Sequence, residues 1–189
     1  MVESGASAIA GSRRWLLAIA CGLWAGLWAG CHPTLPDQTT TILGTVTRVN
    51  SGQTVEIAFS HRESTPLTVR LAGLSAPDHR QQPWGAEARQ ALSDLVLQQP
   101  IRLEPVGALD GYGRQWGYLW QGDRLINEHL LAAGHGVAEL RATPPQDTYA
   151  QRLAHAQHQA RLLGRGLWNP DNPMRQTPVE FRQQLPAAP

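Results

Sequence analysis

The chain contains no lysine, so all sixteen of its permanent side-chain cations are arginines, planar groups whose several N–H donors suit a phosphate. Two of them stand in short segments that also supply an aspartate: Arg70-Leu71-Ala72-Gly73-Leu74-Ser75-Ala76-Pro77-Asp78 and Asp110-Gly111-Tyr112-Gly113-Arg114. Arginine beside carboxylate has two uses. The groups can grip and attack a phosphate ester, or they can neutralise each other, Arg70 and Arg114 then pairing with Asp78 or Asp110. Just after Arg114, Trp116, Tyr118 and Trp120 alternate along an expected strand, where rings either stack on bases or pack in a core. His155 and His158 lie three apart on an expected helix, a spacing able to hold one edge of a metal site. No carboxylate or third histidine stands at a fitting spacing, so these two, like His129 and His135, read as helix surface.

The elements that must position these residues follow from periodicity. Val55, Ile57 and Phe59 alternate with polar or small neighbours, as do Val69, Leu71 and Gly73, which predicts half-buried strands. Ile42 to Val49 forms an earlier strand, joined through the turn cluster Asn50-Ser51-Gly52-Gln53 into a hairpin. A helix opens at Pro83 and runs to about Gln98, with Ala88, Ala91, Leu92, Leu95 and Val96 on one stripe and Pro100 preventing continuation. Strands at Ile101–Glu104 and Arg114–Trp120 follow, then a short helix Ile126–Ala133 and a last one Asp147–Leu163 that buries Tyr149, Leu153, Ala156, Ala160 and Leu163. The expected fold class is α+β, a five-stranded OB-type β-barrel with about three helices.

The flanks have a different character. Arg13 and Arg14 lead into an uncharged sixteen-residue run, Trp15 to Gly30, too short for the roughly 18 to 20 apolar residues of a spanning helix and laid out as an export leader. Its end, Leu27-Trp28-Ala29-Gly30-Cys31, resembles a bacterial lipobox, with Trp28 where Leu is usual, which makes Cys31 the expected lipidation site. Cleaved secretion and retention of the run as a short anchor are the alternatives. Ser12-Arg13-Arg14-Trp15-Leu16-Leu17 also resembles a twin-arginine export motif. The expected organisation is a leader over 1–31, a polar tether over 32–40, a folded domain over 41–169 and a disordered tail over 170–189, which carries five prolines. The expected location is the cell envelope or beyond it, as a membrane-anchored lipoprotein or a secreted or periplasmic protein. Removal of residues 1–30 deletes Glu3, Arg13 and Arg14, leaving fourteen arginines against fourteen Asp plus Glu. That balance argues against tight non-specific binding through summed positive charge.

The two arginine segments carry a family resemblance. The first resembles the signature Arg-Leu-x-Gly-Ile-Asp-x-Pro-Glu of the staphylococcal-nuclease (thermonuclease) family, and the second matches that family's Asp-Gly-Tyr-Gly-Arg. Ser51-Gly52-Gln53-Thr54 resembles its Asp-Gly-Asp-Thr turn, Asn127-Glu128 opens a helix as in the family, and Gly166-Leu167-Trp168 closes the domain. The similarity covers about two thirds of the chain, in order and spacing.

The resemblance implies phosphodiester hydrolysis on DNA or RNA by a calcium-using monomer, with nucleic acid or nucleotide as partner. It places Arg70 and Arg114 as phosphate clamps, Asp78 where the family has a water-activating glutamate, and Tyr112 beside the substrate. Two departures bear on calcium: the family's ligand aspartates are replaced by Gln53 and Ser75, which predicts a degraded calcium site and reduced activity. Positions where the founding enzyme sets tyrosines around a nucleotide hold Glu139 and Arg141. The alternatives to an enzyme are an inactive OB module that keeps the anion pocket, binding nucleotide, nucleic acid or another envelope component, and a protein-interaction domain.

Overall fold

β-branched and aliphatic residues at alternate positions build the first three strands: β1 (Ile42–Ser51), β2 (Thr54–Ala58) and β3 (Leu67–Leu71). They form an antiparallel meander in which Val55 pairs with Val49 and Val69, and Arg70 with Thr54. A computed structural model of the chain describes residues 41–59, 65–139 and 149–185, all within one unit, Gln38–Pro189. The residues expected to form a leader and a tether, Cys31 among them, lie outside the described residues, as does Arg141.

Two later strands close the sheet. β5 (Pro100–Val106) pairs antiparallel with β1 and with β6 (Gln115–Gln121), and β6 returns to β3 in a parallel pairing that sets Arg70 opposite Trp116. The order β1-β2-β3-β6-β5 and back to β1 is a closed five-stranded barrel, the OB-type α+β fold expected from the sequence. Closure leaves these strands no free edge along the ring. Val46, Val55, Ile57, Val69, Leu71, Leu103 and Leu119 fill its interior with no exposed surface.

Helix α1 (Trp84–Val96) covers the barrel with Ala88, Leu92 and Val96, the stripe read from the sequence. The tip of the β1–β2 hairpin presses on it: a Cβ on Gly52 would lie 2.6 Å from the Cβ of Ala88, so only glycine allows that approach. Helix α2 (Ile126–Ala132) follows a two-residue strand β7 (Arg124–Leu125), and α3 (Ala150–Leu162) buries Leu153, Ala156 and Ala160. Leu163, expected in that face, is instead 61% exposed. The helix has already ended, and Gly164, at φ +59°, turns the chain so that Arg165 N–H bonds back to the Ala160 carbonyl.

Three features were not foreseen. Leu74–Ser75 (β4) pairs antiparallel with Val137–Ala138 (β8), fixing the end of the first arginine segment to the chain after α2. A 3-10 turn, Gly166–Trp168, follows α3. The segment expected to be a disordered tail is folded over residues 170–185, so that expectation is corrected. Met174 N–H bonds to the Leu167 carbonyl, and helix α4 (Pro178–Gln183) starts at a capping box in which Thr177 and Glu180 satisfy each other's backbone N–H groups. The prolines that argued for disorder include one at the first helical position, where a missing N–H costs nothing.

Candidate functional site at the arginine end of the barrel

Arg70 lies on β3 between Val69 and Leu71, whose side chains are fully buried in the barrel, so its own side chain falls on the opposite face. There its guanidinium stacks over the Trp116 ring at 4.7 Å and approaches Glu139, Nη2 to Oε2 3.8 Å. The side chain is only 11% exposed. Trp116 in turn donates its indole N–H to Asp110 Oδ2 at 3.2 Å.

Asp110 organises the second segment. Its Oδ2 receives Arg114 Nε at 2.8 Å, and its Oδ1 accepts the backbone N–H groups of Tyr112 and Arg114 at 2.9 and 3.0 Å. Partial burial opposes ionisation of Asp110, but hydrogen bonds from the Arg114 side chain and backbone, the Tyr112 backbone and the Trp116 indole outweigh it. Its carboxyl is held well below the usual carboxylate range. Gly113, at φ +73°, supplies the left-handed residue that this tight loop needs. Arg114 lies 4.9 Å from the Tyr112 ring, and that ring is 85% exposed. Of the two aspartates the sequence offered as partners, Arg114 takes Asp110, while Arg70 takes neither, pairing with Glu139 and stacking on Trp116. Of the alternating rings, Tyr118 and Trp120 are core, packed edge-on against Tyr149, whose hydroxyl donates to Glu104; burial and that carboxylate push the Tyr149 pKa up to about 12.

Asp78 faces a different partner. Arg80 donates Nε to its Oδ1 at 2.9 Å, and His79 lies 3.1 Å from the same oxygen. The hydrogen bond from Arg80 lowers the Asp78 pKa despite partial burial. Its loop is set by close packing: Gly85 N–H bonds to the Gln81 carbonyl, and a Cβ on Gly85 would lie 2.1 Å from the Asp78 carbonyl oxygen. Gln81 accepts from Asp78 N–H and donates to the Gln176 carbonyl, tying this loop to the chain before α4.

Gln53 and Ser75 are both buried. Gln53 Oε1 accepts Ala76 N–H at 2.7 Å. Ser75 Oγ accepts from Arg182 Nη2, and Arg182 Nη1 donates to the Ala76 carbonyl at 3.2 Å. Arg182 was missed from the sequence. The signal for its helix was present as Thr177-Pro178-Val179-Glu180, a capping box with proline inside it. Glu139, at a position where the founding enzyme has a tyrosine, is also part of the cluster. Among the described residues no group of three or more His, Cys, Asp and Glu is placed to hold a metal ion; His155 and His158 lie on the exposed face of α3.

The family model described as staphylococcal nuclease homologue matches residues 68–170, a span that contains all but the first residue of β3, both arginine segments and α1 through α3. The chain belongs to the staphylococcal nuclease family. A thermonuclease from Staphylococcus hyicus is 30% identical over 130 residues, covering 66% of this chain and 74% of its own length. An uncharacterized endonuclease from Haemophilus influenzae is 30% identical over 139 residues, covering 74% and 72%. A micrococcal nuclease from Shigella flexneri is 28% identical over 147 residues, covering 74% and 80%. In this staphylococcal nuclease domain Asn127 locks the site's frame: fully buried, it donates to the Ala72 carbonyl at 2.8 Å and accepts Leu119 N–H at 3.0 Å. It thereby joins the first arginine segment to β6 and α2.

Proposed function

We propose that this domain is a phosphodiesterase acting on nucleic acid, with Arg70 and Arg114 gripping the phosphate and calcium contributing little. The observation that carries the reading is the connected series Arg70, Trp116, Asp110, Arg114, which holds two guanidinium groups at one end of the barrel. Each guanidinium can give two parallel charge-assisted hydrogen bonds to phosphate oxygens, where charge accumulates in the transition state. The exposed Tyr112 ring, beside Arg114, would stack on a base. Asp78 would orient the attacking water once a substrate phosphate competes for Arg80.

Calcium takes six to eight oxygen ligands and depends on carboxylates to offset its dehydration. The donor set here does not fit that demand. Gln53 and Ser75 are neutral, the Gln53 oxygen is engaged by Ala76 N–H, and Ser75 Oγ already faces a guanidinium. The expected result is cleavage of single- or double-stranded DNA or RNA by the full-length chain, responding weakly to Ca²⁺. Arg70→Ala and Arg114→Ala should each lower it on the order of 100-fold. Absence of cleavage with Ca²⁺, Mg²⁺, Mn²⁺ or chelator overturns the catalytic reading.

A second reading, a binding module that holds phosphate without cleaving it, is favoured by the Asp78 pairing with Arg80 and His79. Oligonucleotide binding that depends on Arg70, with no cleavage under any of those conditions, would establish it. The export leader and a lipid on Cys31 belong to the same proposal. Cys31→Ser should shift the protein from the membrane fraction to the soluble one and abolish incorporation of labelled fatty acid. An unchanged distribution removes the tether.

A further inference from the structure

Helix α4 brings a cation into the space beside Ser75. Arg182 reaches back across more than a hundred residues to Ser75 Oγ and the Ala76 carbonyl, the first of these at a position where the family resemblance places a ligand aspartate. Its neighbour Phe181 sits under Arg80, the guanidinium that holds Asp78, with the Arg80 carbon 6.0 Å from the ring. The charges of Glu139 and Asp78 act on Arg182, and Glu139 is also the carboxylate that Arg70 approaches. Burial lowers the Arg182 pKa and those two carboxylates raise it, yet a guanidinium remains charged at any physiological pH. One cluster therefore contains Arg70, Glu139, Arg182, Ser75 and Asp78.

We propose that Arg182 is a third phosphate-binding cation, a protein-borne positive charge in the place of a metal ion, so that phosphate is bound independently of calcium. Three observations support it. The aspartate position now holds a serine whose hydroxyl accepts from the guanidinium. The contacts to Ser75 and Ala76 use Nη1 and Nη2 of a group that carries five N–H donors, leaving capacity for a phosphate oxygen. The capping box at Thr177, the Gln81–Gln176 hydrogen bond and the Met174–Leu167 hydrogen bond fix the segment that carries Arg182. This inference rests on the Arg70–Arg114 phosphate reading and adds the source of the missing positive charge.

The test is binding of inorganic phosphate and of a short single-stranded oligonucleotide to the full-length chain in chelator, with Arg182→Gln, Arg182→Lys and Arg70→Gln compared with the parent. Glutamine keeps an N–H donor for Ser75 but removes the charge; lysine keeps the charge. The parent should bind equally with and without Ca²⁺. Arg182→Gln should weaken binding about tenfold or more and reduce the slope of log affinity against log salt by about 0.7, the share of one neutralised phosphate on a single strand. Arg182→Lys should recover most of the affinity. If Arg182→Gln binds as the parent does, with the same salt slope and an intact thermal transition, Arg182 is only a structural fastening and the inference fails. If Arg70→Gln also leaves binding unchanged, or the parent binds neither probe, the underlying phosphate reading fails instead.

Discussion

Asp110 receives four hydrogen bonds from its own loop and the neighbouring strand, and all of them favour its ionised form. Its folded pKa is depressed, so its contribution to stability is complete above the unfolded carboxylate value, near 4, and is lost as pH falls further. Asp78, also depressed by Arg80, acts in the same direction. Asp110→Asn keeps an acceptor for the two backbone N–H groups but removes the titration. Its melting temperature should therefore drop less between pH 5 and pH 3 than that of the parent; an equal drop would show that the carboxylate is not coupled to folding. A second prediction concerns the replaced ligands. Gln53→Asp with Ser75→Asp should yield little calcium-dependent cleavage while Arg182 remains to pair with the new carboxylate, and much more when Arg182→Ala is added. Cleavage assays across a calcium titration distinguish the two variants.

Among the elements, the strands supply the rigid frame, and the loops and α2 aim the side chains. Asn127 is the fastening between them. Truncation to alanine leaves a buried carbonyl at Ala72 and a buried N–H at Leu119, each an unsatisfied group costing 1 to 3 kcal/mol, so Asn127→Ala should destabilise by about 3 kcal/mol in urea denaturation. Gly85→Ala tests the approach of α1 to the Asp78 loop. A Cβ there overlaps the Asp78 carbonyl and should cost about 2 kcal/mol while weakening phosphate binding, measurable by denaturation and by titration with phosphate. The barrel strands and the stripe of α1 were readable because periods of 2 and 3.6 report directly on burial. The pairing of Leu74–Ser75 with Val137–Ala138 was not, because two-residue strands have no period and their partners lie more than sixty residues apart. Helix α4 was misread because proline content outweighed the capping signal at Thr177.

For the molecule as a whole, near-balance of arginine and acid means that affinity for nucleic acid must come from local geometry. Oligonucleotide binding should then have a shallow salt dependence, with a log–log slope of about 2 for three phosphate contacts, and a much steeper slope would point to charge spread over the surface. Two histidines add a pH response at milder acidity. Burial lowers the pKa of His129 and His135, so their neutral forms stabilise the fold above the unfolded histidine value near 6.5, and that contribution fades as pH falls below it. Thermal unfolding followed from pH 7.5 to 5 should show this first loss, ahead of the carboxylates. The sequence by itself determined the family, the barrel class and both arginine segments, since these rest on local motifs and on the periodicity of burial; which aspartate Arg114 meets came from the structure. Tertiary structure decided which carboxylate meets Arg70, which cation holds Asp78, and that a guanidinium from the last helix lies on Ser75. The Asp78–Arg80 pair is local but depends on how its loop is held, whereas Arg70 with Glu139 and Arg182 with Ser75 join residues far apart in the chain, which only the closed barrel and the folded C-terminal segment bring together.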